Sequence, residues 1–230
     1  FGMSKTYDRY SAFFGTVNYT YNNRYNFQGA IRTDGSNRLG RSSSARWLPT
    51  WSVSGAWNID QEKFMQNATK INLLKLRASY GLTADMGAAT NSSVVLKAQN
   101  TLRPYAREIE PGITIKDLEN ADLTWEKQYL LNVGVDAGFF GGRLTTSIDL
   151  YKKNGFDLIA GIKTSGIGGQ NIKQANYADL RSEGLELTIG GEIIRSKDWG
   201  WRSNLTVGYN KNKIRNAKNT PIIFDLIVPE

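Results

Sequence analysis

Eight segments of this chain alternate apolar or aromatic residues with Ser, Thr, Asn or Arg, and the connections between them are short and long in turn. A side-chain period of two belongs to a β-strand and gives each strand two unlike faces. In the first segment Phe13, Gly15, Val17, Tyr19 and Tyr21 share one face, against Phe14, Thr16, Asn18 and Thr20. After Asn22-Asn23 the pattern resumes with Tyr25, Phe27, Gly29 and Ile31 against Asn26, Gln28, Ala30 and Arg32. The period predicts strands over 10–21, 24–33, 48–59, 71–83, 126–139, 143–153, 182–194 and 200–211. Such strands suit a sheet between an apolar medium and water, and a soluble sandwich shows the same alternation.

The connections discriminate further. The odd ones are Asn22-Asn23, 60–70 with a short helical turn over 61–65, Phe140-Gly141-Gly142, and 195–199. The even ones are 34–47, 84–125, 154–181 and a stretch starting near Asn212. Alternate connections of an up-and-down meander lie at opposite ends, so all the long loops leave from one end. Transmembrane barrels are built this way, and loops beyond about 15 residues are uncommon in compact domains. Lys75, Arg77, Asn132, Asp136, Asp149 and Arg202 fall on the polar face. A narrow barrel would need them paired inside, whereas a wide lumen solvates them. The reading is all-β: an antiparallel transmembrane barrel segment of about eight strands within a larger barrel. A small barrel with internal ion pairs is the alternative. The chain begins at Phe1 and stops at Glu230 in a polar stretch, and both ends read as interior to a longer protein.

Composition removes several function classes. Without Cys there is no disulfide framework or thiolate site, and without His there is no Ser-His-Asp triad and no common zinc ligand. No run approaches the roughly 20 apolar residues of a membrane helix, a test that a transmembrane barrel escapes. Tyr (11) and Trp (6) outnumber Phe (9), which suits rings with one dry and one wet end and equally suits strand propensity. The net charge of +8 is spread without a run of five basic residues, so it reads as a solvated surface with no nucleic-acid partner. Attraction to anionic lipid headgroups also fits.

Several local patterns fall short of a site. Gly166-Ile167-Gly168-Gly169 lacks the lysine and context of a phosphate loop. Asp117, Glu119 and Asp122 read as a solvated turn before a calcium site, and Glu108 with Glu110 lacks any sign of a glycosidase pair. No catalytic, cofactor-binding or metal residue is assigned, and no enzyme activity is expected.

A family resemblance accumulates along the chain. Its pieces are Arg32-Thr33-Asp34-Gly35-Ser36, Leu48-Pro49-Thr50-Trp51-Ser52-Val53-Ser54 and Leu73-Leu74-Lys75-Leu76-Arg77-Ala78-Ser79-Tyr80-Gly81. They continue through Leu123-Thr124-Trp125-Glu126-Lys127, Asn132-Val133-Gly134-Val135-Asp136 and Asp149-Leu150-Tyr151-Lys152-Lys153 to Glu183-Gly184-Leu185-Glu186-Leu187 and Tyr209-Asn210-Lys211-Asn212. In this order they resemble the C-terminal barrel of SusC/RagA-type TonB-dependent transporters of the Bacteroidota outer membrane. Asn176-Tyr177-Ala178 departs, since the family more often has Gly after the Asn.

The resemblance implies a barrel of about 22 strands with a plugged lumen. Residues 1–230 would supply part of it, and the plug and early strands would lie elsewhere. It further implies energy from a TonB-like inner-membrane protein, a SusD-like surface lipoprotein as lid, and import of large nutrients, typically oligosaccharides and in some members peptides. A soluble all-β carbohydrate-binding or adhesive module is the competing function. The outer-membrane lipids would meet Val17, Tyr19, Phe27, Ile31, Val53, Trp57, Leu76, Leu131, Val133, Val135, Ile148, Leu187 and Val207. Trp47, Tyr105 and Trp125, in or beside long loops, are weak candidates for stacking on a sugar ring.

Overall fold

The computed structural model describes residues 7–40, 42–87, 93–102, 109–163 and 172–216. The strands are β1 (Tyr10–Tyr21), β2 (Tyr25–Ser36), β3 (Trp47–Asn58), β4 (Ile71–Asp85), β5 (Val95–Leu102), β6 (Ile109–Asp117), β7 (Glu126–Phe139), β8 (Leu144–Lys163), β9 (Ile172–Arg195) and β10 (Gly200–Arg215). Eight of them form one sheet in the order β1-β2-β3-β4-β7-β8-β9-β10, while β5 and β6 pair as a separate hairpin. Neighbours in the large sheet are antiparallel throughout.

The short turns have local causes. Asn22 and Asn23 both adopt positive φ (50° and 56°), and Arg24 N–H donates to the Tyr21 carbonyl at 3.0 Å. The loop leaves Asn22, Asn23 and Arg24 between the paired Tyr21 and Tyr25, and its left-handed residues suit Asn, which tolerates that region better than most side chains. Phe140, Gly141 and Gly142 are likewise left-handed (56°, 66° and 84°) and close the β7–β8 turn. Between β3 and β4 the chain makes two single turns, Ile59–Gln61 and Lys63–Met65, where the sequence predicts one helical turn.

The structure lengthens some predicted strands. The predicted connection over 154–181 is largely strand: β8 runs on to Lys163 and β9 starts at Ile172. β7 ends opposite Phe156, so the distal part of this hairpin stands beyond the sheet as an arm. The reason lies at Asp157, whose φ of +59° marks a bulge between Gly155 and Leu158 that erases the period-two signal. The predicted long connection over 84–125 carries the β5–β6 hairpin, and β10 continues to Arg215.

The register sorts the side chains across the whole sheet. Val17 pairs with Gly29, Gly29 with Val53, Val53 with Tyr80 and Tyr80 with Leu131. Two rows nearer the short turns lie Tyr21, Tyr25, Trp57, Leu76, Val135, Ile148, Leu187 and Val207. Partners in register share a face. All thirteen residues expected to meet lipid therefore lie on one face of one sheet. The opposite face carries Asn18, Gln28, Ser54, Ser79, Asn132 and Tyr151 in a single row.

Rings cluster near both ends of the apolar face. At the short-turn end Tyr25 stacks on Trp57 with centroids 6.2 Å apart. Toward the long-loop end Trp51, Tyr80, Tyr129 and Phe156 form a chain of ring contacts 5.6–6.1 Å apart across four strands. The buried apolar core among the described residues is small and sits among the long connections: Leu39, Leu123, Trp125 and Ile159, flanked by Leu48, Ala84 and Met86.

Candidate functional site

Two regions hold organised polar chemistry: the polar face of the sheet and the assembly of long connections beside it. On the polar face a groove of about 400 Å³ runs over β1–β4 and β7. Its side chains include Asn18, Thr20, Asn26, Gln28, Ser54 and Arg77. Amides and hydroxyls of this kind donate and accept hydrogen bonds, so they match solutes rich in hydroxyl or peptide groups.

Arg77 anchors the charged part of the face. Its Nε and Nη2 donate to Asp136 at 2.7 and 2.9 Å, and Nη2 also reaches Asp149 at 3.0 Å. Ser147 Oγ donates to Asp136 at 2.7 Å. Arg77 on β4 and Asp149 on β8 are separated by Gly134 on β7, in register with both. A Cβ at Gly134 would stand 2.5 Å from Asp149 Oδ1 and 2.9 Å from Arg77 Nη2. Any side chain there would have to push aside the guanidinium that crosses the middle strand. Three of the polar-face charges are thus paired, while Arg202 is mostly exposed and 4.0 Å from Glu192.

Nearer the long loops, a second recess of about 350 Å³ is lined by Thr83, Asp85, Glu126 and Gln128 over Leu158 and Leu180. Glu126 accepts the Ile159 N–H at 2.7 Å.

The long connections are tied to one another by backbone contacts. Gly40 N–H donates to the Leu123 carbonyl at 2.8 Å, and Arg46 Nε donates to the Gly40 carbonyl at 2.9 Å. A Cβ on Gly40 would meet the Ala121 carbonyl oxygen at 2.1 Å, so the approach needs glycine. The Asn176 side chain holds Thr124 from both sides, accepting its N–H at 3.0 Å and donating to its carbonyl at 2.9 Å. The same Asn176 amide donates to the Asp157 carbonyl at 2.6 Å. Asn120 Nδ2 adds a bond to the Gln174 carbonyl at 2.8 Å. The segment before β7 is therefore fastened to the arm of β8 and β9 and to the β2–β3 connection.

The predicted ring-stacking residues have distinct fates. Trp125 is 6% exposed, and its indole N–H donates to the Arg46 carbonyl at 3.1 Å. That ring is a packing centre with little face left for a ligand. Trp47 lies over Gly35 and stacks on Phe13 with centroids 6.4 Å apart, so it reaches across β2 to β1 on the apolar face. Tyr105, Glu108 and Gly166-Ile167-Gly168-Gly169 lie outside the described residues. Among the described residues no three carboxylates are grouped to hold a metal. The sequence reading missed the spacing role of Gly134 and the clamp at Asn176, which it marked only as a departure. Neither residue type announces such a role, because each depends on what lies across two strands.

Comparison with known proteins gives a consistent result. The family model described as TonB dependent receptor-like, beta-barrel matches residues 2–225. The chain is 31% identical over 222 residues to TonB-dependent receptor P26 of Formosa agariphila, covering 96% of this chain and 22% of that protein. It is 29% identical over 208 residues to TonB-dependent receptor SusC of Bacteroides thetaiotaomicron, covering 88% and 20%. The chain thus spans about a fifth of the length of the curated relatives it matches. A solved structure of the RagAB peptide transporter superposes with a TM-score of 0.82 at 27% identity, over 92% of this chain and 23% of that one. The siderophore receptor PirA of Pseudomonas aeruginosa shares the fold alone, with a TM-score of 0.55 at 11% identity.

Proposed function

The chain belongs to the TonB-dependent receptor-like β-barrel family, and from that membership we propose that residues 1–230 form part of the C-terminal barrel of an outer-membrane active importer. The full barrel has about 22 strands in this reading, with a plug contributed by another part of the protein. The apolar face meets lipid and the polar face lines the water-filled lumen. The observation that carries the reading is the register: thirteen apolar residues on eight successive strands fall on one face, and the amides, hydroxyls and Arg77 cluster fall on the other. The long connections form the extracellular mouth and the short turns face the periplasm.

The work of such a barrel is transport, with no chemistry on the cargo. Energy comes through a TonB-like inner-membrane protein, and a SusD-like lipoprotein closes the mouth. The cargo is a large nutrient, oligosaccharide first and peptide second, since the polar groove offers amide and hydroxyl partners to both. The similarity to SusC and to the RagAB peptide transporter supports this cargo range.

Outer membranes from cells carrying the full-length protein provide the test. Unboiled and boiled samples are compared by gel migration, and uptake of labelled oligosaccharides and peptides is measured with and without a membrane potential. A heat-shifted band far above 25.7 kDa and potential-dependent uptake are expected. A soluble product without a heat shift would replace this reading with the carbohydrate-binding module, and uptake that ignores the potential would replace it with a passive pore.

A further inference from the structure

The apolar face does not end the same way on every strand. Along β10 its residues run Leu205, Val207, Tyr209 and then Lys211, Lys213 and Arg215 toward the long-loop end. The register carries the change sideways. Leu131 pairs with Lys152, Lys152 with Glu183 and Glu183 with Lys211. One row further, Tyr129 leads to Asn154, Arg181 and Lys213. Lys127 stands on the same face of β7 and bonds Asp157 at 3.0 Å.

Six cations and three carboxylates, Asp157, Asp179 and Glu183, therefore form a stripe of net charge +3 across β7–β10. Lys152 and Arg181 pair with Glu183, and Asn216 Nδ2 donates to Asp179 at 2.7 Å. Lys211, Lys213 and Arg215 take part in no ion pair among the described residues. On β1–β4 the same end of the face carries Phe13, Trp47, Trp51 and Tyr80 instead.

We propose that this stripe is a binding site for phosphate-bearing lipid headgroups in the membrane leaflet on the long-loop side. The proposal rests on the lipid assignment of the apolar face. A solvated basic patch would have no reason to stand at the rim of a lipid-facing band, directly beyond Tyr209 and in the rows of Leu131 and Tyr129. At that level the chemistry within reach of an ammonium or guanidinium is the headgroup, and phosphate is the group Arg and Lys recognise best. Confinement to four strands makes it a local site rather than a general collar.

The experiment uses the full-length protein in detergent micelles doped with monophosphoryl lipid A and reads bound lipid by native mass spectrometry. Phosphatidylcholine serves as the zwitterionic comparison and inorganic phosphate as the free-anion competitor. Lipid A adducts are expected on the wild type, with occupancy falling about tenfold in K211Q/K213Q/R215Q. A variant of equal charge at the short-turn end, K63Q/K70Q/K197Q, is expected to keep them. Equal loss in both variants, equal retention in both, or displacement by equimolar inorganic phosphate overturns the proposal.

The wild type gives an arm that needs no variant. Adducts are expected to weaken from low to high ionic strength, and binding indifferent to salt overturns the proposal even if the triple variant does not fold. Insertion is read separately by the heat-shifted band. A wild type without that band refutes the lipid face, whereas a shifted band without salt-sensitive adducts refutes the stripe alone.

Discussion

At the scale of single residues, glycine and carboxylate positions do work that their types do not advertise. Gly134 keeps the crossing between Arg77 and Asp149 open. Gly134→Ala should push both side chains aside and break the 3.0 Å bridge while leaving the Arg77–Asp136 pair. The pair is partly solvated, so the loss should be about 1 kcal/mol. Urea unfolding of the full-length protein in lipid vesicles, with Gly15→Ala as a control in open space, measures it. Glu62, between β3 and β4, accepts the Tyr25 hydroxyl at 2.8 Å and the Trp57 indole N–H at 3.1 Å, with Arg24 at 3.3 Å. Those donors hold its carboxyl below the ordinary value of 4.5. A depressed value means that the carboxylate's contribution is complete above about pH 4.5 and is lost as pH falls through the lower folded value. Protection of residues 59–65 against hydrogen exchange, taken relative to the intrinsic rate at each pH, should therefore fall on acidification in the wild type. In Glu62→Gln the protection should be low already at neutral pH and change little with acid. Identical pH profiles in the two proteins would remove the carboxylate from this account.

At the scale of elements, the Asn176 clamp makes the arm and the segment before β7 one unit. Asn176→Ala removes three hydrogen bonds, two of them to Thr124, and should raise exchange across residues 119–125 severalfold. The exchange of β2 and β3 should stay unchanged. Gly40→Ala should loosen the same segment from the other side, because its Cβ meets backbone rather than a mobile side chain. The elements also show what was legible in the sequence. β1 and β7 match their predicted limits because the alternation is unbroken from end to end. The arm carries no strand signal because a left-handed Asp157 and a bulge interrupt the period where β8 passes the end of β7. The β5–β6 hairpin was missed because its apolar pairs, Leu96 with Ile115 and Ala98 with Ile113, form too short a run inside a long polar connection. Sequence shows Trp125 only as a ring near a loop, and its burial depends on Leu39, Leu123 and Ile159 arriving from three separate elements. Sequence pattern records the faces of a strand well and the meeting of distant segments hardly at all.

At the scale of the whole molecule, the two faces ask to be tested by one substitution made on either side of the same strand. Val133 stands mid-strand on the apolar face, in the row of Tyr19, Phe27, Ala78, Leu150 and Leu185. Its neighbour Asn132 faces the other way and lines the groove with Lys75 and Arg77. Val133→Arg places a charge in hydrocarbon if the apolar face meets lipid, at a cost of about 2–4 kcal/mol for a midplane arginine. Asn132→Arg adds the same side chain to water if the polar face lines a lumen, beside an Arg77 whose charge is already offset by Asp136 and Asp149. The same arginine is introduced at adjacent positions of one strand, and a gap of several kcal/mol exceeds the roughly 1 kcal/mol span of strand propensity, so the difference reports the medium that each face meets. The expected result is a strongly reduced heat-shifted fraction in outer membranes for Val133→Arg and a near-normal one for Asn132→Arg. Urea midpoints in reconstituted vesicles should follow the same order. Equal yields would mean that both faces meet water and would return the chain to a soluble sandwich. The reverse order would turn the sheet inside out, with the Arg77 network looking outward and the stripe of Lys211, Lys213 and Arg215 looking into the lumen.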